Sequence, residues 1–355
     1  MRRIVSIVVV LFTVVSASVL AKQDPPDGMV AASAGTGLYL VDPASGASKR
    51  LEVGRVAWLF PAPGGLLFAP DLTRGRTTVA DLRSQNIRTV LDGITMPHFG
   101  EASDRYVSVA GKVLLLSWPG RARLEVVEAE IHHPWQVIVL PGDLEVLVLE
   151  RRHDGRGAVR LWLVNLLEDR VVRTVELDPG VRSMALVPEL GMLALAAGDE
   201  GVQLVAGGSF QPVAEIRCGG SVAGVAAGGE WGKKLLTMAV ATANGGRLVR
   251  YRLKEKKGEL TWKEEKGLEL PAAPVALVAS PSRRWVAFAL STGHLGIAGL
   301  RDGPEVASAT LPEAPRDLVW CDPGRRGPSI PHWSVSSEGA YSTEPTPSLH
   351  YTPVP

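Results

Sequence analysis

Arginine and histidine side chains occur in the short polar segments that separate the apolar runs of this chain, where they could bind an anion. A guanidinium group binds a carboxylate or a phosphate through two parallel hydrogen bonds. Trp135 follows His133 and Pro134, and it is the aromatic residue that we expect to contact a ligand. The residue types predict a site for an acidic small molecule or an acidic peptide, and the alternative is that these side chains are simply solvated. The candidate ligand-binding residues are Arg55, His98, His133, Trp135, Arg182 and Arg316.

The histidines could also supply imidazole groups to a metal ion, but their spacing does not favour one. His132 and His133 would point to opposite faces of a strand, so the pair could chelate one ion only from a loop. The sequence has no His-Glu-x-x-His pattern, no cysteine pair at zinc spacing and no Gly-x-Ser-x-Gly turn. We therefore expect no metal, no cofactor and no catalytic residue. If the protein is an enzyme, its candidate carboxylates are Glu101 and Asp317.

A repeated phrase in the sequence indicates the elements that position these residues. An apolar run, a glycine-centred turn and a second apolar run occur in Met29–Val41, Met192–Val205 and Val286–Leu300. A segment that repeats in this way cannot bury its own apolar face and stacks against further copies. Within Val159–Val205, four strand-like runs follow one another without the spacing of an amphipathic helix. The sequence therefore predicts an all-β repeat fold.

Seven copies of the unit are counted from the innermost strand of each four-stranded group. These strands are expected to begin near Val56, Met96, Trp135, Arg182, Val222, Val275 and Asp317. Their spacing is close to the ~40–45 residues that one blade of a β-propeller occupies. The segment before Val56 has only three strands, and Asp317–Cys321 can supply the missing inner one. We therefore predict a seven-bladed β-propeller over residues 29–321, with four-stranded antiparallel blades and a ring closed by a C-terminal inner strand that pairs with N-terminal strands.

Two kinds of loop share one face of such a ring: those between blades, and those between the second and third strands of a blade. Binding residues concentrate on loops that a rigid scaffold holds in place. The first kind carries Arg55, His98, His132, His133, Arg182 and Arg316, and the second carries Arg74, Arg76, Arg151, Arg152, His153, Arg156 and His294. We therefore expect the ligand to bind on this face.

The stretch Val159–Val205 and the fragment Ala276–Ala289 resemble the degenerate WD40-like and YVTN-like repeats of seven-bladed β-propellers. The signature dipeptides are missing, because Trp162 is followed by Leu163 rather than by an acidic residue, and no Gly-His pair opens a blade. The structural Asp–His–Ser/Thr–Trp network of that superfamily is therefore not expected. The resemblance implies a scaffold for binding, and it carries over no functional residue.

The N-terminal segment indicates an exported protein. Arg2 and Arg3, the apolar run Ile4–Val15 and the small residue Ala21 are typical of a secretory signal peptide, residues 1–21. A secreted or periplasmic location follows, and an N-terminal membrane anchor is the alternative. We expect no membrane span once the signal peptide is removed.

The other segments outside the repeats have simpler interpretations. Residues 22–28 are a linker, and the Pro- and Ser-rich residues 322–355 are expected to be largely disordered, unless Ile330–Val335 adds a strand. Cys218 and Cys321 are expected in different blades, too far apart for a disulfide, and therefore as free buried thiols.

Charge is balanced in the chain, with 38 Lys and Arg against 37 Asp and Glu, so nucleic acid is not an expected partner. Together these features predict an exported, monomeric, non-catalytic propeller that acts as a binding or protein-interaction platform for a protein or an acidic ligand. One alternative is an enzyme that uses the central channel, either a lactonase-type hydrolase or a quinoprotein-dehydrogenase-like subunit. Another is a module that recognises cell-wall glycan.

Overall fold

The computed structural model describes the chain from residue 26 to residue 323, apart from residues 95, 101–104, 110–111, 118–122, 141–143, 153–156, 200, 229–232, 257 and 302. Several expectations from the sequence lie outside these residues. They are the signal peptide 1–21, nearly all of the tail 322–355, and the positions Glu101, His153, Arg156 and Ile330–Val335.

The described strands form seven four-stranded antiparallel sheets, the blades of a propeller. Blade 1 begins with β1 (Met29–Ala34), β2 (Gly37–Val41) and β3 (Ser48–Glu52). Blade 2 consists of β4 (Phe60–Ala62), β5 (Leu66–Asp71), β6 (Arg76–Asp81) and β7 (Asn86–Asp92). Blade 3 consists of β8 (His98–Phe99), β9 (Arg105–Val109), β10 (Lys112–Ser117) and β11 (Arg123–Glu128). Blade 4 consists of β12 (Pro134–Val139), β13 (Glu145–Glu150), β14 (Val159–Asn165) and β15 (Arg170–Leu177).

The remaining blades follow the same order along the chain. Blade 5 consists of β16 (Ser183–Val187), β17 (Met192–Ala196), β18 (Val202–Ala206) and β19 (Pro212–Ile216), with a turn of 3₁₀ helix at Pro188–Leu190. Blade 6 consists of β20 (Ser221–Gly228), β21 (Lys234–Thr242), β22 (Gly245–Lys256) and β23 (Glu259–Leu270). Blade 7 consists of β24 (Pro274–Ala279), β25 (Trp285–Leu290), β26 (His294–Gly299) and β27 (Glu305–Thr310). The last strand, β28 (Asp317–Cys321), completes blade 1.

The ring closes as the sequence predicts. β28 pairs antiparallel with β1, from Met29 opposite Cys321 to Ser33 opposite Asp317. Because β1 also pairs with β2, it has a strand on each side, and both ends of the propeller are held in one sheet. The prediction of a seven-bladed propeller with this closure is confirmed.

The first strands of successive blades meet around the centre of the ring, and β12 reaches β16 through the Gln136 side chain. Six of the seven begin within two residues of the predicted position, and β4 is the exception because it begins at Phe60 rather than near Val56. Val56 forms only an isolated bridge with Asp71. The backbone N–H of Leu59 donates to the Asp317 carboxylate instead of to a strand. A turn at residues 63–65 follows directly, so β4 is only three residues long.

Apolar side chains fill the spaces between blades rather than one central core. Six of the seven buried clusters combine residues of two neighbouring blades, and the seventh, in blade 2, packs against the partly buried Phe99 of blade 3. In one of them, Leu149 and Leu161 of blade 4 pack with Leu193 and Leu195 of blade 5. A strand between two such clusters is buried on both faces, which is why β5 and β25 are apolar without alternation.

Both cysteines are free and buried, as predicted. Cys218 follows β19 in blade 5, whereas Cys321 ends β28 in blade 1. Burial raises the pKa of the Cys218 thiol. Burial, and then the nearby carboxylate of Asp317, raise the pKa of the Cys321 thiol.

Candidate functional site

The loops between blades and the loops between the second and third strands leave the same end of each antiparallel sheet. We call the side of the ring that carries them the upper face. Two of the residues predicted for the site, Trp135 and Arg182, come together on this face at the boundary between blades 4 and 5. Arg151, in the loop after β13, joins them there.

Trp135 is the second residue of β12 and the extra residue of a β-bulge. The strand register shifts between Pro134, which lies opposite Glu150, and Gln136, which lies opposite Leu149. A bulge gives a side chain a direction that the regular ladder would not. Trp135 is 37% exposed, so it lies partly at the protein surface.

Three contacts gather Trp135, Arg151 and Arg182. The indole Nε1 of Trp135 donates a hydrogen bond to the backbone oxygen of Arg182 over 2.8 Å. The guanidinium carbon of Arg151 is 5.8 Å from the centroid of the Trp135 ring, within the range of a cation–π interaction. The Nη1 of Arg151 donates to the backbone oxygen of Val181 over 3.1 Å. The Trp135 and Arg151 side chains of blade 4 thus hold the loop that contains Arg182 and leads into blade 5.

Arg151 and Arg182, which we call the arginine pair, repel each other. Burial, and then the positive charge of Arg182, lower the pKa of Arg151. Neither guanidinium forms an ion pair with a carboxylate of the described residues. Two converging cations create a local potential that attracts an oxyanion.

The buried carboxylate of Glu150 anchors the loop that precedes β12. Its Oε1 accepts the backbone N–H groups of His132 and His133, at 2.9 and 3.4 Å. Its Oε2 accepts a hydrogen bond from the indole Nε1 of Trp162 over 3.0 Å. The backbone N–H of Arg151 in turn donates to the backbone oxygen of His133 over 2.9 Å. The loop with His133 and the segment with Arg151 are therefore fixed relative to each other.

Glu150 was not among the predicted site residues. The signal in the sequence is a single acidic residue at the end of the apolar strand β13, where it is 7% exposed. A carboxylate so deeply buried needs hydrogen-bond donors. In blade 4 the donors are the indole of Trp162 and backbone N–H groups. The Glu150 carboxylate therefore finds its hydrogen bonds without the Asp–His–Ser/Thr–Trp network of the WD40-like repeats.

Gln136 forms a second hydrogen-bonded link between blades 4 and 5. The sequence did not indicate this role of Gln136 either. Its Nε2 donates to the backbone oxygen of Met184, and its Oε1 accepts the backbone N–H of Met184, both over 2.8 Å. The Gln136 side-chain amide thus bonds both backbone groups of Met184, as a neighbouring strand would, at the inner edge of β16. Gln136 is the neighbour of Trp135 in the sequence, so its hydrogen bonds to Met184 help to fix the boundary between blades 4 and 5. The arginine pair is therefore positioned before any ligand binds.

His98, which the sequence predicts as a ligand-binding residue, lies on β8 of blade 3 and is half-buried. Its ring meets that of Phe60 edge-on, with centroids 5.0 Å apart. Burial lowers the pKa of His98 to about 4, so the imidazole is uncharged at neutral pH. His133 is half-buried, and its backbone groups are engaged by Glu150 and Arg151.

Arg316 holds the seam between blades 7 and 1. Its Nη1 donates to the backbone oxygen of Gly35 over 2.7 Å, and its Nη2 donates to the Oε1 of Glu313 over 3.1 Å. The same Glu313 oxygen accepts the backbone N–H of Gly35 over 2.7 Å. Arg55 is exposed in the loop between β3 and β4. The structure therefore places Arg55 and Arg316 on a part of the ring remote from the arginine pair.

Asp317 joins blade 1 to blade 2 at the start of β28. Its carboxyl group accepts the backbone N–H groups of Leu59 and Leu318, at 2.7 and 2.9 Å. Burial raises the pKa of Asp317 to about 6 although both bonds oppose the rise.

Within the described ranges, no three His, Cys, Asp or Glu side chains are grouped as a metal site. No helix in the part of the chain that the structure describes is long and apolar enough to cross a membrane.

Comparison with known proteins gives matches in structure but not in sequence. No protein family model and no curated protein matches the chain. The chain is similar to a chain in the crystal structure of the mitotic checkpoint complex, with a TM-score of 0.57 and 14% identity over 78% of this chain and 87% of that one. It is similar to the WD40 repeats of RRP9, with a TM-score of 0.55 and 13% identity over 76% and 88% of the two chains.

A third similar structure is the β-propeller domain of Cps50 (Swd1) from Myceliophteria thermophila, with a TM-score of 0.54 and 12% identity over 74% of this chain and 88% of that one. At these identities the likeness concerns the fold alone. The chain therefore has the seven-bladed β-propeller fold of the WD40 repeat proteins.

Proposed function

We propose that the protein is an exported, non-catalytic binding platform whose upper face binds an acidic group of a protein partner at Trp135 and the arginine pair. The observation that supports this most is the convergence of Arg151 and Arg182 beside a partly exposed indole. No carboxylate of the described residues neutralises the two cations.

A carboxylate suits this place for physical reasons. One donor of Arg151 is bonded to Val181, and its other donors and the exposed Arg182 side chain are available to a ligand. A negative group between the two guanidinium groups would relieve their repulsion and accept charge-assisted hydrogen bonds. The Trp135 ring adds apolar contact area of the kind that dominates many protein interfaces.

Two further observations support the other parts of the proposal. One similar propeller was solved in the mitotic checkpoint complex, and a protein assembly of that kind favours a protein partner for this chain. The signal-peptide pattern of residues 1–21 supports export.

Capture experiments with the chain lacking residues 1–21 test this function. Wild-type protein, R182Q and R88Q are immobilised and exposed to the extracellular and periplasmic fractions of the source cells. Arg88 is the control because it is exposed on β7, in blade 2, and its substitution changes the net charge equally. We expect R88Q to retain the captured partner, R182Q to lose it, and capture by wild type to weaken as salt rises. Equal capture by all three proteins at low salt would remove the acidic-group site.

A further inference from the structure

The first strands of blades 4, 6 and 7 contain a β-bulge near their upper ends. In β24 the register shifts between Pro274 and Ala276, which makes Val275 the extra residue. Trp135 holds the same place in β12, and Ala223 is the extra residue of β20. A bulge re-aims the side chain at that position. Val275 is 40% exposed as a result, although it lies on a strand next to the centre of the ring.

Val275 and Trp135 stand on opposite sides of the central channel. Blades 5 and 6 separate them in one direction, and blades 1 to 3 separate them in the other. Each of the two residues comes one position after the start of its strand, close to the loop that arrives from the preceding blade. Two exposed apolar side chains therefore flank the centre of the upper face.

The blades between them carry small residues at the same level. β16 begins at Ser183, and β20 begins at Ser221 directly after Gly219 and Gly220. Small side chains leave space for another backbone to pass over this part of the face. The shorter path from Trp135 to Val275 is therefore the one that a bound chain could follow.

We infer that the partner contributes an extended segment that crosses the upper face, with an acidic residue at the arginine pair and an apolar residue at Val275. This inference rests on the proposed function, because the arginine pair supplies one of the two contacts. An extended chain advances ~3.3 Å per residue, so the two recognised side chains stand at a fixed separation in sequence. Burial of an apolar side chain against Val275 adds affinity, and the fixed separation adds specificity.

Selection from a random peptide library displayed on phage tests this inference. The immobilised proteins are wild type, V275S, V306S and the double variant R151Q/R182Q. Val306 is the matched control, since it is 41% exposed and lies on β27, the outer strand of the same blade. Wild type and V306S should enrich Asp or Glu at a fixed distance from Leu, Ile or Phe. V275S should enrich the acidic residue alone, and R151Q/R182Q should lose the acidic preference.

The enriched peptide should bind V275S about tenfold more weakly than wild type in a fluorescence anisotropy titration. Coincident thermal unfolding of V275S and V306S excludes misfolding as the cause. Acidic enrichment without an apolar partner, or an apolar preference that persists on V275S, would overturn this inference and leave the proposed function standing. Wild-type selections without acidic enrichment would overturn both.

Discussion

The indole Nε1 of Trp135 lies 2.8 Å from the backbone oxygen of Arg182 and donates a hydrogen bond to it across the boundary between blades 4 and 5. The same ring contacts the guanidinium group of Arg151, whose carbon is 5.8 Å from the ring centroid. One side chain of blade 4 therefore helps to position both cations of the arginine pair. Substitutions of this residue can separate its two contacts.

Replacing Trp135 by Phe retains a ring for Arg151 but removes the hydrogen bond to Arg182. We expect W135F to lower the free energy of unfolding by about 1 kcal/mol, because one net hydrogen bond is lost at a partly exposed site. W135A also removes the ring, so it should weaken the binding of an acidic peptide more than W135F does. Urea unfolding and peptide titration measure the two effects. Unchanged peptide binding by W135A would show that the ring does not position the pair.

Replacing Glu150 by Gln should destabilise the protein by about 1–3 kcal/mol, the usual range for a buried polar group that loses a partner. An amide has one acceptor oxygen, so its NH₂ group would oppose either the Trp162 indole or the backbone N–H groups of His132 and His133. E145Q is the matched control at the other end of β13, where Glu145 is half-buried. Urea unfolding should show a much smaller loss for E145Q. Equal losses for the two variants would contradict the anchoring role of Glu150.

Two half-buried groups near the centre of the ring give opposite pH dependences. The pKa of His98 is lowered to about 4, so the folded state binds fewer protons than the unfolded state between about pH 4 and 6.5, and stability is lost as pH falls. The pKa of Asp317 is raised to about 6, so its protonated form favours the folded state, and stability is lost as pH rises from about 4 to 6. In the wild type the two effects largely cancel.

Single variants should expose these opposite slopes. H98Q leaves only the Asp317 effect, so its stability should decrease from pH 4 to pH 6, whereas that of D317N should increase. The expected change is about 1–3 kcal/mol in each case. Urea unfolding over this pH range measures both. Slopes of the same sign in the two variants would be inconsistent with the assigned environments.

Neither thiol should react in the native protein. Cys218 and Cys321 are buried, and burial raises the pKa of both, so little thiolate is present and access is blocked. A maleimide reagent followed by mass spectrometry should label neither cysteine in buffer and both in concentrated denaturant. Rapid labelling of Cys321 without denaturant would indicate that β28 leaves blade 1 readily.

The propeller fold could be predicted because six of the seven blades are each formed by one continuous stretch of sequence with a recognisable pattern. Each blade repeats an apolar run, a turn and a second apolar run, so the spacing of the first strands follows from the sequence. β4 was placed too early because Leu59, which follows Val56 closely, bonds to Asp317 at the other end of the chain. No local pattern reveals such a contact.

The site could be predicted only in part for the same reason. Trp135 and Arg182 were identified from residue type and loop position, and the structure brings them together. The roles of Glu150 and Gln136 depend on atoms from other loops and from the next blade, so their residue types alone did not indicate them. The environment of His98 is likewise not visible in its residue type, because its ring packs edge-on against Phe60 of the neighbouring blade and is uncharged at neutral pH.

The central claim is that the arginine pair forms an oxyanion site, and calorimetric titration with a short peptide of Glu and Gly residues tests it most directly. The proteins compared are wild type, R151Q/R182Q and R88Q/R173Q, of which the last removes the same charge from exposed positions on the outer strands β7 and β15. We predict that R151Q/R182Q binds at least about tenfold more weakly than wild type, while R88Q/R173Q binds like wild type. Equal affinities for the two double variants would contradict the account.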